Sequence, residues 1–184
     1  MNVSVSAALS DRETTRPRTA EDAAAARAGA FLTIDLAALR ENYLALRSRL
    51  GGRACAAVVK ADAYGLGAAR IAPVFHEAGC RHFFVAHLDE GLALKQALPD
   101  DCAIMVLHGP MPGSEADCAH AGLVPVLNSM EQIEAWGGLA RALGRRLPAF
   151  VQIDSGMSRM GLPEADITRI AAAPALLDGI IVEA

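Results

Sequence analysis

A lysine follows an apolar run in the first half of the chain, and a tyrosine lies four residues beyond it. Lys60 closes the run 55–59, and Tyr64 precedes Gly65. The carboxyl ends of parallel strands face the functional site of a β/α fold, so we expect Lys60 in a pocket mouth, with the Tyr64 ring and hydroxyl over it. Apolar surroundings favour the neutral amine that condenses with an aldehyde. The alternative is a strand-end lysine whose charge reaches water.

An arginine follows a second predicted strand end. Arg159 lies five residues after Asp154, in a segment that also contains Gly156 and Gly161. A guanidinium stays charged and offers a rigid planar fork of donors to an oxyanion or a carboxylate. The competing interpretation is a surface arginine in a loop between a strand and a helix.

Both segments resemble motifs of the alanine racemase family. Residues 57–67 read AVVKADAYGLG and are similar to the lysine motif of these barrel-type enzymes, which depend on pyridoxal 5'-phosphate (PLP). Residues 151–161 read VQIDSGMSRMG and resemble the family signature D-[ST]-G-M-x-R-x-G. The resemblance implies that Lys60 is the catalytic residue that carries PLP. It also implies that Arg159 approaches the phenolic oxygen of PLP and the substrate, and Tyr64 is predicted to share the cofactor site.

One position departs from the family pattern. Many family members have a carbamylated lysine two residues before the aspartate that corresponds to Asp154, where this chain has Gln152. Gln152 cannot form a carbamate, but its amide is able to hydrogen-bond Arg159. Two further blocks, 83–91 and 125–129, resemble family segments with mainly structural duties. We therefore interpret His87 and Asn128 as loop or helix-cap residues.

The composition indicates a folded protein and excludes several classes. The 184 residues are 53% hydrophobic and 21% charged, with a net charge of −4. The scattered basic residues give no electrostatic footprint for nucleic acid. No apolar run approaches the roughly 20 residues of a membrane-spanning helix. The four cysteines are interpreted as buried, reduced thiols of a cytoplasmic protein, and no metal site is expected.

Short apolar runs alternate with amphipathic ones, which predicts an α/β fold with a parallel sheet. Beside a first strand at 31–36, six strands are predicted at 55–60, 82–86, 103–107, 124–127, 149–153 and 177–182. The main predicted helices cover 38–50, 68–78, 89–97 and 129–143. An open doubly wound sheet would have a glycine-rich G-x-G-x-x-G turn after its first strand, and this chain lacks it. We therefore favour an incomplete (β/α)8 TIM-type barrel.

The length limits how much of such a barrel is present, because a closed one takes about 250 residues. We expect a mobile leader at 1–29 and a partial N-terminal PLP-binding barrel domain at 30–184. About five or six of the eight strands would be present, and the family's C-terminal β domain would be absent. We expect this chain alone to bind PLP weakly, to racemise alanine little and to associate through an apolar edge.

The resemblance implies a PLP-dependent interconversion of L-alanine and D-alanine that supplies D-alanine for peptidoglycan. Family members are homodimers, in which a tyrosine from the partner's C-terminal domain is the second acid/base group. One alternative is a single-barrel protein that holds PLP for homeostasis without catalysis. Another is a PLP decarboxylase of related fold, which the D-A-Y-G sequence after Lys60 disfavours.

Overall fold

The computed structural model describes residues 26–30 and 32–183. The described residues before Ala37 belong to a separate unit and include a turn at residues 26–27. The predicted leader at 1–29 falls almost entirely outside the described residues. The strand predicted at 31–36 is wrong over its described part: residues 32–35 have no regular structure, and Leu36 begins a helix. Asp35 lies just before that helix, where aspartate is a preferred N-cap residue.

Residues 37–184 contain a six-stranded parallel sheet. Each strand pairs with the next one along the chain, so the spatial order is also the sequence order. A doubly wound sheet would place its first strand in the interior, and this order excludes it. The predicted α/β barrel-type fold is confirmed. The strands are β1 (Ala57–Val58), β2 (His82–Val85), β3 (Ala103–Val106), β4 (Val124–Leu127), β5 (Leu147–Val151) and β6 (Ile180–Val182).

Helices alternate with these strands, as the sequence pattern predicts. They are α1 (Leu36–Ser48), α2 (Ala68–Glu77), α3 (Leu88–Lys95), α4 (Glu115–His120), α5 (Met130–Ala142) and α6 (Glu164–Ala172). Ser129 caps the start of α5: its Oγ accepts the Gln132 N–H at 3.3 Å. The reciprocal bond differs from a standard capping box, because Gln132 Oε1 accepts the N–H of Asn128 at 2.7 Å.

Three strands differ from their predicted bounds by two residues or more. β1 covers only Ala57–Val58 of the predicted range 55–60. β5 begins at Leu147, two residues early, and runs through Pro148, whose register partner is Ile181. Proline has no N–H for the ladder, which is why sequence rules place it outside a strand. β6 begins at Ile180 because Pro174–Leu177 forms a 3-10 helix first.

The core lies between the sheet and its helices. Trp136 is 1% exposed, as expected for a residue that packs a helix, and Phe83 and Ile133 are fully buried. Burying such a side chain stabilises a fold by about 1.5–3 kcal/mol. All four cysteines are free, but the expected burial holds only for Cys80 and Cys118, since Cys55 and Cys102 are partly exposed. Among the described residues, no helix combines the length and the apolar character needed to cross a membrane.

Candidate active site

The segment Lys60–Gly65, here called the lysine turn, starts where β1 ends. The Val59 N–H donates to the Phe84 carbonyl at 2.9 Å, which continues the β1 to β2 pairing up to the lysine. The next four residues, Ala61 to Tyr64, all have positive φ, between 51° and 57°. The left-handed backbone thus begins four residues before Gly65, in residues that carry side chains. Lys60 itself is half-buried.

The left-handed conformation costs an L-residue roughly 1–2 kcal/mol, so the lysine turn needs support. Its backbone provides part of this support, because the Ala63 N–H donates to the Val59 carbonyl at 2.8 Å. Side chains provide more: Glu90 Oε1 accepts the Ala61 N–H at 3.0 Å, and Asp62 Oδ1 accepts the Ala68 N–H at 2.7 Å. Backbone strain that its surroundings hold in place is characteristic of functional sites.

Residues 154–161, here called the arginine loop, follow β5. Asp154 Oδ1 accepts the N–H groups of Gly156 at 3.0 Å and Ser158 at 2.9 Å. The Ser158 bond, followed by the Gly156 bond, lowers the pKa of the Asp154 carboxyl below its usual value. The loop closes on itself, since the Asp154 N–H donates to the Leu162 carbonyl at 3.0 Å. These bonds set the backbone from which Arg159 extends.

A cavity of about 600 Å³ lies beside the arginine loop. Its lining includes Arg159, His108, Asn128 and Asp154. Asn128 Nδ2 donates to the carbonyls of Leu107 at 2.9 Å and Val126 at 2.8 Å, which joins the ends of β3 and β4. Asn128 Oδ1 is buried without a hydrogen-bond partner in the described structure. The predicted cap residue thus joins two strand ends and also carries an unused acceptor.

His108 links the lysine and arginine sides of the site electrostatically. Its pKa is lowered first by burial, then by the His87 ring and by the charges of Lys60 and Arg159, against an opposing effect of Glu90. The rings of His87 and His108 meet edge to face, with centroids 4.4 Å apart. The amine and the guanidinium therefore both act on one imidazole. Within the described part of the chain, neither cation has an acidic partner at ion-pair distance.

The three predicted site residues lie at the carboxyl ends of strands, as expected. Lys60 and Tyr64 belong to the lysine turn after β1, and Arg159 belongs to the loop after β5. Only Arg159 lines the cavity, and Tyr64 is 63% exposed. Gln152 makes no side-chain hydrogen bond to Arg159, and its carbonyl instead accepts the Leu162 N–H at 2.8 Å. The functional roles assigned to the three residues stay predictions.

Glu90 and His108 belong to the site but were not predicted from the sequence. His108 follows the predicted strand 103–107 directly, so its place after a strand end was an available signal. Glu90 lies in a helix, 29 residues from its partner Ala61. Nothing in the local pattern indicates that its carboxylate reaches the lysine turn.

A second polar cluster lies at the opposite, amino end of the strands. Donor atoms of His76, Asp101 and Cys102 lie within 4.8 Å of one another. Asp101 is already ion-paired to the Arg81 Nε at 2.8 Å and contacts His76 Nε2 at 2.9 Å. Burial, with the Asp101 hydrogen bond, raises the pKa of the Cys102 thiol to about 11. In this cluster, the raised pKa favours the protonated thiol of Cys102, and the Asp101 carboxylate is paired with Arg81.

Fold and site together define a barrel-type α/β protein with an amine and a guanidinium at the carboxyl ends of its strands. The profile of the family "Alanine racemase, N-terminal domain" matches residues 34–184, and the chain belongs to this family.

Related proteins carry the same name. The chain is 57% identical over 153 residues to an alanine racemase of Brucella ovis. The matched region covers 83% of this chain and 39% of the relative. It is 53% identical over 157 residues to a catabolic alanine racemase of Agrobacterium fabrum. This match covers 85% of this chain and 40% of the relative. This chain therefore spans about 40% of the length of these relatives.

Solved structures agree in fold. An alanine racemase of Bartonella henselae with covalently bound pyridoxal phosphate superposes with a TM-score of 0.78 at 40% identity. The match covers 81% of this chain and 42% of that one. The alanine racemase of Streptomyces coelicolor gives a TM-score of 0.73 at 39% identity. This match covers 81% of this chain and 41% of that one.

Proposed function

We propose that this chain is the lysine-bearing barrel portion of a PLP-dependent alanine racemase, with PLP attached to Lys60. The observation that carries the proposal is the placement of Lys60 and Arg159. Both extend from the carboxyl ends of parallel strands, both charges act on His108, and neither is neutralised by a described carboxylate. The names of the relatives, one of them with covalently bound pyridoxal phosphate, support the proposal further.

The side chains present fit the chemistry of this cofactor. PLP has an aldehyde, a phenolic oxygen and a phosphate, so it needs an amine and hydrogen-bond donors. Lys60 provides the amine, and Arg159 provides a guanidinium free of any described acidic partner. The unpaired Asn128 Oδ1, in the cavity that Arg159 lines, is an acceptor and does not serve these groups of PLP. The Tyr64 hydroxyl, on the lysine turn, is available to the same ligand.

Racemisation needs a proton to leave one face of the α-carbon and another to return on the opposite face. When bound, PLP supplies the electron sink for the carbanion. We assign one proton-transfer role to Lys60, whose neutral amine accepts a proton. We assign the alanine carboxylate to Arg159, because a guanidinium pairs with a carboxylate through two parallel hydrogen bonds. In the homodimer that we propose for the whole racemase, of which this chain is the barrel portion, a tyrosine of the partner's C-terminal domain acts on the other face.

Covalent labelling tests the first part of the proposal sharply, because the chain contains two lysines, Lys60 and Lys95. Lys95 ends α3 and lies 4.0 Å from Asp100, outside the site. After incubation with PLP and reduction with borohydride, peptide mapping should find the adduct on Lys60. Lys60→Arg keeps the charge without a usable nucleophile and should reduce the adduct by about tenfold or more. Lys95→Arg should leave it unchanged, and an adduct mainly on Lys95 would contradict the proposal.

A second measurement separates a racemase from a noncatalytic PLP carrier. Exchange of the alanine α-hydrogen for deuterium in D2O requires one base rather than two. We expect PLP-loaded chain to exchange one alanine enantiomer faster than the other, and Lys60→Arg to abolish this exchange. A Lys60 adduct with no α-hydrogen exchange would favour the carrier.

The cellular role that we propose is cytoplasmic supply of D-alanine for peptidoglycan. A strain without the gene should then grow only when D-alanine is added. Growth of that strain at the normal rate without D-alanine, with no other racemase activity in its extract, would contradict this role.

A further inference from the structure

The Glu90 carboxylate bridges the lysine turn and the neighbouring strand. Glu90 lies in the first turn of α3 and is half-buried. Its Oε1 accepts the Ala61 N–H at 3.0 Å, and its Oε2 accepts the Ala86 N–H at 2.7 Å. Ala61 directly follows Lys60, and Ala86 directly follows β2. One side chain thus joins the backbone beside the lysine to the end of the next strand.

We propose that Glu90 is a positioning residue for Lys60: by holding the Ala61 amide, it fixes the place of the lysine amine. The inference rests on the proposed function, in which Lys60 binds PLP. Ala61 is the first left-handed residue of the turn, so its amide orientation decides where the chain leaves β1. Hydrogen bonds from backbone amides to an ionised carboxylate are shorter and stronger than those to a neutral acceptor.

The helix that carries Glu90 packs closely against its neighbours at Gly91. Gly91 is buried, and a Cβ added there would lie 2.9 Å from Leu123 Cδ1 and 3.6 Å from Val85 Cγ2. The absence of a Cβ at residue 91 therefore lets α3 lie against the sheet. Glu90 extends from this helix. Its two oxygens hold the Ala61 and Ala86 amides and thereby restrict the backbone from which the flexible lysine side chain extends.

The bridge requires two acceptors. A carboxylate has two acceptor oxygens and no donor, which matches two backbone N–H groups. In Glu90→Gln, the amide has the same size but one oxygen and one NH2 group, so one backbone N–H faces another donor. In Glu90→Asp the charge remains, but the side chain is one methylene shorter and cannot span both amides. Glu115→Gln is the matched control, because Glu115 Oε2 also accepts a loop amide, that of Gly113 at 2.9 Å, away from the lysine.

The experiment combines amide hydrogen exchange with labelling of Lys60. In the unaltered chain, the Ala61 and Ala86 amides should be protected. Glu90→Gln should raise their exchange rates by about tenfold or more, and Glu115→Gln should not. The rate of PLP labelling at Lys60 should fall by a similar factor in Glu90→Gln, with Lys95 labelling as an internal reference. The melting temperature should remain close to that of the control variant.

The possible failures are distinguishable. Equal Ala61 exchange in the unaltered chain and in Glu90→Gln would show that the bridge is not formed. Faster Ala61 exchange with unchanged Lys60 labelling would make Glu90 a structural residue and overturn the inference, while leaving the proposed function intact. An unaltered chain that is not labelled at Lys60 would remove the proposed function and this inference with it. If Glu90→Gln does not fold, Glu90→Asp is judged by the same two rates.

Discussion

At the scale of residues, two carboxylates at the site bind backbone amides rather than cations. Glu90 accepts two N–H groups beside the lysine turn, and Asp154 accepts two in the arginine loop. Because these acids bind backbone amides, no described carboxylate forms an ion pair with Lys60 or Arg159. The arrangement separates the groups that shape the site from those that would contact a ligand.

The first prediction concerns the pH dependence of the arginine loop. The folded pKa of Asp154 is depressed below its ordinary value of 3.8 by the Ser158 and Gly156 amides. Its stabilising effect is therefore fully present above that value and is lost as the pH falls through the folded pKa. The amide resonances of Gly156 and Ser158 should titrate with a midpoint below 3.8.

Asp154→Asn keeps an acceptor oxygen and removes the titration. In this variant, we expect the loop to form but the Gly156 and Ser158 resonances to stay constant over the same acidic range. An unchanged titration in Asp154→Asn would mean that another group is responsible.

At the scale of elements, the arginine loop depends on a close backbone approach at Gly161. Gly161 has a φ of 101°, and a Cβ there would lie 2.8 Å from the Asp154 backbone nitrogen and the Ile153 carbonyl carbon. The approach allows the short bridge between Ile153 and Leu162, which anchors the loop to the sheet. Leu162 is 1% exposed, so the anchor is also part of the core.

The second prediction compares two glycines of this loop. Gly161→Ala should reduce the free energy of unfolding by about 2–4 kcal/mol, because backbone strain and a clash with backbone atoms add. Gly156 also has a positive φ, 115°, but a Cβ there would have no neighbour within 4 Å. Gly156→Ala should therefore cost only the strain, about 1–2 kcal/mol. Urea unfolding measures the free energy of unfolding of both variants. Equal decreases would show that the close backbone approach at Gly161 does not contribute to stability.

At the scale of the whole molecule, the described sheet has two outer strands. β1 pairs with β2 alone and β6 pairs with β5 alone. Their side chains are apolar and accessible: Val58 is 45% exposed and Val182 is 48% exposed. Unpaired strands with apolar side chains are templates for association with another chain.

The third prediction follows from these strands. The chain should self-associate as its concentration rises, and Val182→Lys should weaken this association by about tenfold, since a charge disfavours strand pairing. Leu143→Lys is the matched control, because Leu143 is 40% exposed at the end of α5, away from the strand edges. Sedimentation velocity measures both variants. An equal effect of the two substitutions would indicate general surface hydrophobicity instead.

The sequence alone predicts the α/β class, six strands close to their observed places, and the location of Lys60 and Arg159 after strand ends. These features depend on local apolar runs and on residues next to them, which a sequence displays directly. The sequence failed where a local pattern was overruled: residues 32–35 are apolar and β-branched in part but precede a helix, and Pro148 lies inside β5.

The conformation of the lysine turn, in contrast, depends on contacts with distant residues. Ala61 and Ala63 have no local preference for positive φ, and the bond that holds Ala61 comes from Glu90, 29 residues away. Likewise, His108 became part of the site only when β3 was placed between the strands that carry Lys60 and Arg159. Long-range hydrogen bonds and charges act through space, and a linear pattern does not record which distant groups will meet.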